Sequence, residues 1–313
     1  MAGPAPRHKI RPQAGQMAKT LHIYLHEPMR TRAEAGETNL FNKMAQALAG
    51  WTLRFHEDTE AERQAAPDRG YGLYHMQEPP VSTILCLRRA YHYPFWRIEK
   101  TNERWNFDVA RAGFDAAQAP PDRAAAFFAR WLPRVFREGP VFRKGFVFMP
   151  LQGRLLQHRS FQSQSPVQMI ETCAKAWPGM PIKATLHPRE IYTPADHQAL
   201  SALADRFANF QLVSADARDL LADCDLVATQ NSAVALTGFF ARKPAILFAG
   251  SDFHHIAASV PREGLKSALT PRPDPDFAAY LFWFFQRQSI NAGAANAVEK
   301  IRARFAAHGF PLF

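Results

Sequence analysis

Apolar positions in the second half of the chain fall in short unbroken runs. GFVFMPL (Gly145–Leu151), PIKATLH (Pro181–His187), FQLVS (Phe210–Ser214), DLVAT (Asp225–Thr229) and PAILFAG (Pro244–Gly250) each read as a strand. Runs without polar alternation belong to strands buried on both faces, as in a parallel sheet. Between them lie segments of helical character. Pro166–Trp177 follows Ser165 as N-cap, with proline at the first helical position. Thr193-Pro194-Ala195-Asp196 opens a helix to about Ala208, its aspartate placed for the positive end of the macrodipole. ADARDLLADC and NSAVALTGFFARK are the remaining two. Strand and helix alternating with short connections predict a right-handed, doubly wound parallel sheet over residues 141–270.

The first half carries a weaker form of the same pattern. LHIYLH (Leu21–His26), a helix over Asn39–Leu48, WTLRF (Trp51–Phe55) and YGLYHM (Tyr71–Met76) predict a second α/β unit over residues 20–140. The arginine- and aromatic-rich stretch from Leu87 to Trp105 has no clear periodicity, and a helix follows from about Asp122 to Phe136. REGPVFRK (Arg137–Lys144) reads as the boundary between units. Residues 271–313 predict two terminal helices packing on the domains. FAAYLFWFFQR (Phe277–Arg287), apolar nearly all round, suits core or inter-domain packing better than a membrane surface. Residues 1–19 are polar, lack the apolar stretch of a signal peptide and are expected to be a disordered tail.

Charge narrows the partners. A net charge of +10 and an isoelectric point near 9.8 favour an anionic ligand or surface. No zinc-finger, helix-turn-helix or RNA-recognition signature accompanies the charge, so nucleic acid is not expected. Cys86, Cys173 and Cys224 are widely spaced and form neither a metal-ligand spacing nor a disulfide framework. No metal or other cofactor is expected, and the compartment expected is the cytoplasm.

In a parallel sheet every strand's carboxyl end opens on one edge, where ligands collect. On that edge fall Gln152 and Arg154 after the first run, His187-Pro188 after the second, and Gln230-Asn231-Ser232 after the fourth. Asn231 or Ser232 caps the next helix, whose free N–H groups face an anion. His187 suits donation to a phosphate oxygen or protonation of a leaving phosphate, and Pro188 stiffens its placement. Asn-Ser is also an ordinary helix start and His-Pro an ordinary turn; both on one edge favours a ligand site. Asp252 and His254 follow the last run and complete no metal-ligand spacing with His255. Arg88–Lys100 suits either a clamp for an anionic glycan or a packed aromatic surface with arginine heads in water.

Residues Phe146 to His255 resemble the capsule polysaccharide biosynthesis family, which includes transferases of Kdo (3-deoxy-manno-octulosonic acid). The resemblance rests on Pro150-Leu151-Gln152, HRSFQS (His158–Ser163), His187-Pro188, DLVATQNS, and KPAILFAG with Phe253 just beyond. It implies a GT-B architecture, two Rossmann-like domains facing across a cleft. It also implies a CMP-activated acidic sugar as donor, no metal, and an anionic glycan or glycolipid acceptor. His187, Asn231 and Ser232 match the family's nucleotide elements, and Asp252 and His254 would contact the donor sugar. On the acceptor side Glu27 and Glu78, at strand ends, are candidates for the catalytic base beside His187; each is equally an ordinary loop acid. The chain departs from the family in three ways: no carboxylate lies between Gln152 and Glu171, Ala235 and Thr237 replace a glycine and a glutamate, and His254 replaces a tyrosine. Two functions follow as expectations: a CMP-sugar-dependent glycosyltransferase of surface polysaccharide assembly, or a catalytically degenerate sugar- or nucleotide-binding partner in that assembly or export. Peripheral contact with the inner membrane or the capsule machinery would suit the positive charge.

Overall fold

The computed structural model describes residues 19–136 and 139–312. The expected tail therefore lies outside the described residues apart from Lys19, as do two residues of the boundary segment. The molecule is α/β, built on two six-stranded sheets.

The first sheet comprises β1 (Lys19–Leu25), β2 (Trp51–Glu57), β3 (Tyr71–His75), β4 (Ile84–Arg89) and β5 (Phe95–Glu99), joined late in the chain by β12 (Ile290–Asn291). Strands β2, β1, β3 and β4 run parallel; β5 is antiparallel to β4, and β12 to β5. The unassigned segment from Leu87 to Trp105 thus supplies the end of β4 and all of β5. Its arginines break the alternation in the sequence, yet every residue of β5 is buried.

The second sheet contains β6 (Val147–Pro150), β7 (Ile182–Thr185), β8 (Phe210–Leu212), β9 (Leu226–Thr229), β10 (Ala245–Leu247) and β11 (Ala258–Ser259), all parallel. Five strands were legible in sequence; the two-residue β11 adds a sixth. The spatial order β8-β7-β6-β9-β10-β11 reverses direction between β6 and β9. Helix ends are set locally. Ser165 and Gln168 form a reciprocal capping box, and Thr193 and Asp196 another, so Asp196 closes a box as well as facing the dipole.

The aromatic residues bind the two halves together. Helix Pro121–Val135 lays Phe127, Phe128 and Trp131 in one core with Phe95 of β5, Phe239 and Phe240 of helix Ala233–Phe240, and Tyr280 to Phe285. Ring centroids lie 4.8 Å apart for Phe95–Trp131, 4.9 Å for Phe95–Phe285 and 5.9 Å for Phe128–Phe240. The apolar segment 277–287 is therefore interior, helical to Phe282 and then a π-turn. Beyond it the chain returns to the first unit, where helix Ala297–Ala307 packs on helix Asn39–Ala47, β5 and β12 and buries Ile301 and Phe305 in the first sheet's core. Among the described residues, no helix is long and apolar enough to cross a membrane.

A polar contact crosses the same seam. Tyr91, just past β4, donates its hydroxyl to Asp252 Oδ1, just past β10. Arg97 Nε lies 3.9 Å from Asp252 Oδ2, both side chains almost wholly buried. The Arg97 guanidinium also sits 4.5 Å from the Phe284 ring centroid and donates to the Gln288 carbonyl at 2.8 Å. Burial lowers the Arg97 pKa, and the negative charge of Asp252 opposes that shift. Asp252→Ala leaves a buried cation without its partner and is expected to cost about 3–5 kcal/mol in urea denaturation. Tyr91→Phe removes one hydrogen bond and is expected to cost about 1 kcal/mol. Equal effects would show that Arg97 does not depend on Asp252.

Candidate functional site: a cleft at the strand-order reversal

Four strand ends open into one cleft of about 590 Å³. Its lining includes Pro150 and Leu151 at the end of β6, Thr185 to Pro188 at the end of β7, Leu212 to Ala217 at the end of β8, and Ser232 and Val234 after β9. His187, Pro188 and Ser232, more than forty residues apart in the chain, thus line one cavity. The cause is topological: β6 and β9 are neighbours whose following segments diverge, which leaves a crevice at the carboxyl edge.

Local bonding sets what each group offers. His187 Nδ1 accepts the backbone N–H of Arg189 at 3.2 Å, which places the ring proton on Nε2. That N–H is exposed and free to donate. The backbone N–H of His187 donates to the Tyr192 hydroxyl oxygen at 2.8 Å, anchoring the turn. Ser232 is the N-cap of helix Ala233–Phe240: its Oγ accepts from Val234 N at 3.3 Å, leaving its own proton for a ligand. The cavity therefore presents an imidazole N–H, a hydroxyl and a helix N-terminus, all suited to a phosphate.

Loops behind the cleft are tightly packed. A Cβ at Gly153 would lie 2.2 Å from Glu190 Oε2, so the turn after β7 sits directly over the turn after β6. Arg154 in that turn is exposed and left-handed, at φ 61°. Gln152 Oε1 accepts from Asn231 N at 3.3 Å, and Asn231 Nδ2 donates to the Gly250 carbonyl at 2.8 Å. Both side chains brace the cavity from behind rather than line it. Gln230 is 1% exposed and donates to the Gln164 carbonyl at 3.1 Å, which turns it into the protein.

Asp252 and His254 lie apart from this cavity. Asp252 is held in the seam described above. His254 Nδ1 contacts the Ser251 carbonyl at 2.7 Å, and burial lowers its pKa. It lines a different cleft, of about 680 Å³, with Trp105, Arg111, His255 and Arg262. Burial holds His255 near pKa 4, so it is neutral there at physiological pH.

On the first sheet's carboxyl edge, Glu27 accepts from the Thr31 hydroxyl at 2.7 Å and pairs with Arg30 at 2.7 Å. Thr31, with a smaller contribution from Arg30, holds its carboxyl below the usual carboxylate range, which weakens it as a base. Glu78 accepts from Asn102 N at 2.6 Å and from the Thr101 hydroxyl at 2.9 Å, fastening one loop to another. Sequence reasoning passed over Leu212 to Asp216, although FQLVSAD carries the signal used elsewhere: an apolar run ending on Ser and a capping Asp.

No protein-family model matches the chain, and no curated protein does. Among solved structures, KpsC from Thermosulfurimonas dismutans, a beta Kdo 2,7 transferase, superposes with a TM-score of 0.50 at 12% identity, covering 84% of this chain and 89% of that one. The fold is GT-B, two Rossmann-like halves, and is shared with that transferase. A second KpsC structure from the same organism, a beta Kdo 2,4 transferase, gives a TM-score of 0.44 at 11% identity over 82% of this chain and 88% of that one.

The Ser232 cap has a measurable signature in this GT-B chain. Ser232→Ala is expected to cost about 1 kcal/mol and Ser232→Gly only a few tenths. Identical losses by denaturant titration would mean that the hydroxyl does not cap the helix.

Proposed function

We propose that the protein is a glycosyltransferase that binds a CMP-activated acidic sugar, Kdo or a close relative, in the cleft at the β6–β9 reversal and transfers it to an anionic glycan or glycolipid. One observation carries the reading: His187 and Ser232 line the same cavity at the sheet's carboxyl edge. The donor's phosphate would rest on the amides that open helix Ala233–Phe240, receiving the Ser232 hydroxyl and His187 Nε2–H. Those donors disperse the charge that develops as the phosphate leaves. The nucleoside would extend along Leu212 to Ala217, whose exposed Ser214 adds a hydroxyl. Choice of CMP and Kdo is supported by the sequence resemblance and by the fold shared with a beta Kdo transferase.

A second reading, donor binding without turnover, is favoured by one feature. Asp216, the carboxylate lining the cavity among the described residues, already caps helix Ala217–Asp223, and Thr237 stands where the resembled family has a glutamate. Release of CMP from CMP-Kdo in the presence of an acceptor separates the two.

Binding itself is tested by thermal shift. CMP at a hundredfold its dissociation constant stabilises the native state by about 2.7 kcal/mol, so Tm should rise by several degrees. His187→Ala is expected to abolish most of that rise while leaving the unliganded Tm within about a degree, because the side chain is exposed. A full CMP response in His187→Ala would remove His187 from the site.

A further inference from the structure

A polar cleft of about 680 Å³, separate from the donor cavity, opens where the two halves of the molecule meet. The first unit lines it with residues between Trp105 and Phe114, the second with residues between His254 and Glu263 and with Arg272. Charge in this lining is unbalanced. It holds three arginines, Arg111, Arg262 and Arg272, against one carboxylate, Glu263. Glu263 is already engaged: it pairs with Arg272 at 2.9 Å and accepts from Ser259 N at 2.6 Å and the Ser267 hydroxyl at 2.9 Å. The Arg111 and Arg262 side chains are exposed and have no hydrogen-bond or ion-pair partner among the described residues. Two uncompensated guanidiniums, one from each half, therefore line the cleft, and a planar carboxylate is the anion that their fork geometry fits.

The other lining groups call for more than a bare anion. His254 Nδ1 lies 2.7 Å from the Ser251 carbonyl oxygen, which can only accept, so Nδ1 carries the ring proton and Nε2 is left as an acceptor. Burial lowers the His254 pKa and so favours this neutral form. An acceptor nitrogen beside two cations suits a ligand that carries hydroxyls as well as negative charge. Trp105, stacked on Phe161 with centroids 4.5 Å apart, adds an aromatic wall of the kind that packs on the C–H groups of a sugar ring. The two walls are fastened to each other by His255: its Nε2 lies 3.0 Å from the Ala112 carbonyl and its Nδ1 3.2 Å from the Tyr280 hydroxyl. One packed layer joins the cleft to the donor cavity. Trp105 lies so close to Gly250 that a Cβ there would come within 2.9 Å of it. The Gly250 carbonyl accepts from Asn231, and the next residue, Ser232, lines the donor cavity.

We propose that this cleft binds a carboxylate-bearing sugar of the acceptor glycan, with Arg111 and Arg262 on the carboxylate and His254 Nε2 receiving a hydroxyl. That the sugar belongs to an acceptor rests on the transferase reading above; that the cleft holds an acidic sugar does not.

The test titrates the protein by NMR with the methyl glycoside of Kdo, with the methyl ester of that glycoside, and with inorganic phosphate, alongside the CMP thermal shift. The glycoside should bind the wild type, and Arg111→Gln and Arg262→Gln should each weaken it about tenfold or more. Both arginines are exposed, so the unliganded Tm should stay within about a degree of wild type. The uncharged ester should bind the wild type as weakly as the acid binds the variants, and Arg262→Lys should recover part of the loss by restoring charge without the fork. The CMP shift should be the same in all these proteins. Glycoside affinity within threefold of wild type in both glutamine variants overturns the proposal, as does an ester that binds as well as the acid. Phosphate that displaces the glycoside at lower concentration reassigns the cleft to a phosphate and overturns the sugar assignment. Glycoside binding without any CMP shift sinks the donor reading and leaves this site standing, whereas a CMP shift without glycoside binding at millimolar concentration does the reverse.

Discussion

The buried contact at Asp252 sets the geometry on which everything else depends. A carboxylate that is 1% exposed must be paired, and its partners come from the other sheet: the Tyr91 hydroxyl and the Arg97 guanidinium. Phenylalanines packed behind this contact make it part of a continuous core rather than a lone bridge. The consequence is directional. Tyr91 and Asp252 each follow a strand's carboxyl end, so their contact makes the two ligand-gathering edges face one another. Fourteen of the chain's 25 phenylalanines are buried in this one core.

The chemistry of the candidate site follows from the topology of the second sheet. The second sheet reverses strand order at β6–β9, and the crevice there offers N–H and O–H donors but no free carboxylate. Such a lining suits an anion and leaves little to receive a proton.

How far the sequence exposed these features depended on whether local chemistry fixed them. Strands β6, β9 and β10 were readable because burial on both faces leaves uninterrupted apolar runs, and Ser165 and Thr193 mark helix starts by capping. β4 and β5 were obscured by Arg88, Arg89 and Arg97; nothing local reveals that Arg97 is neutralised by a residue 155 positions later. Within the site, the carboxyl-edge rule located His187 and Ser232. It could not tell them from Gln230 and Asn231, whose side chains turn inward because Gln164 and Gly250 offer carbonyls there.

The account's central claim is that His187 and the N-terminus of helix Ala233–Phe240 hold one phosphate. A crystal structure with CMP tests it most directly. The phosphate is expected within hydrogen-bond distance of His187 Nε2 and the Ser232 hydroxyl, at the N-terminus of helix Ala233–Phe240, with the nucleoside along Leu212 to Ala217. Density for CMP in the cleft of Trp105, Arg111 and Arg262 instead, with His187 untouched, would contradict it.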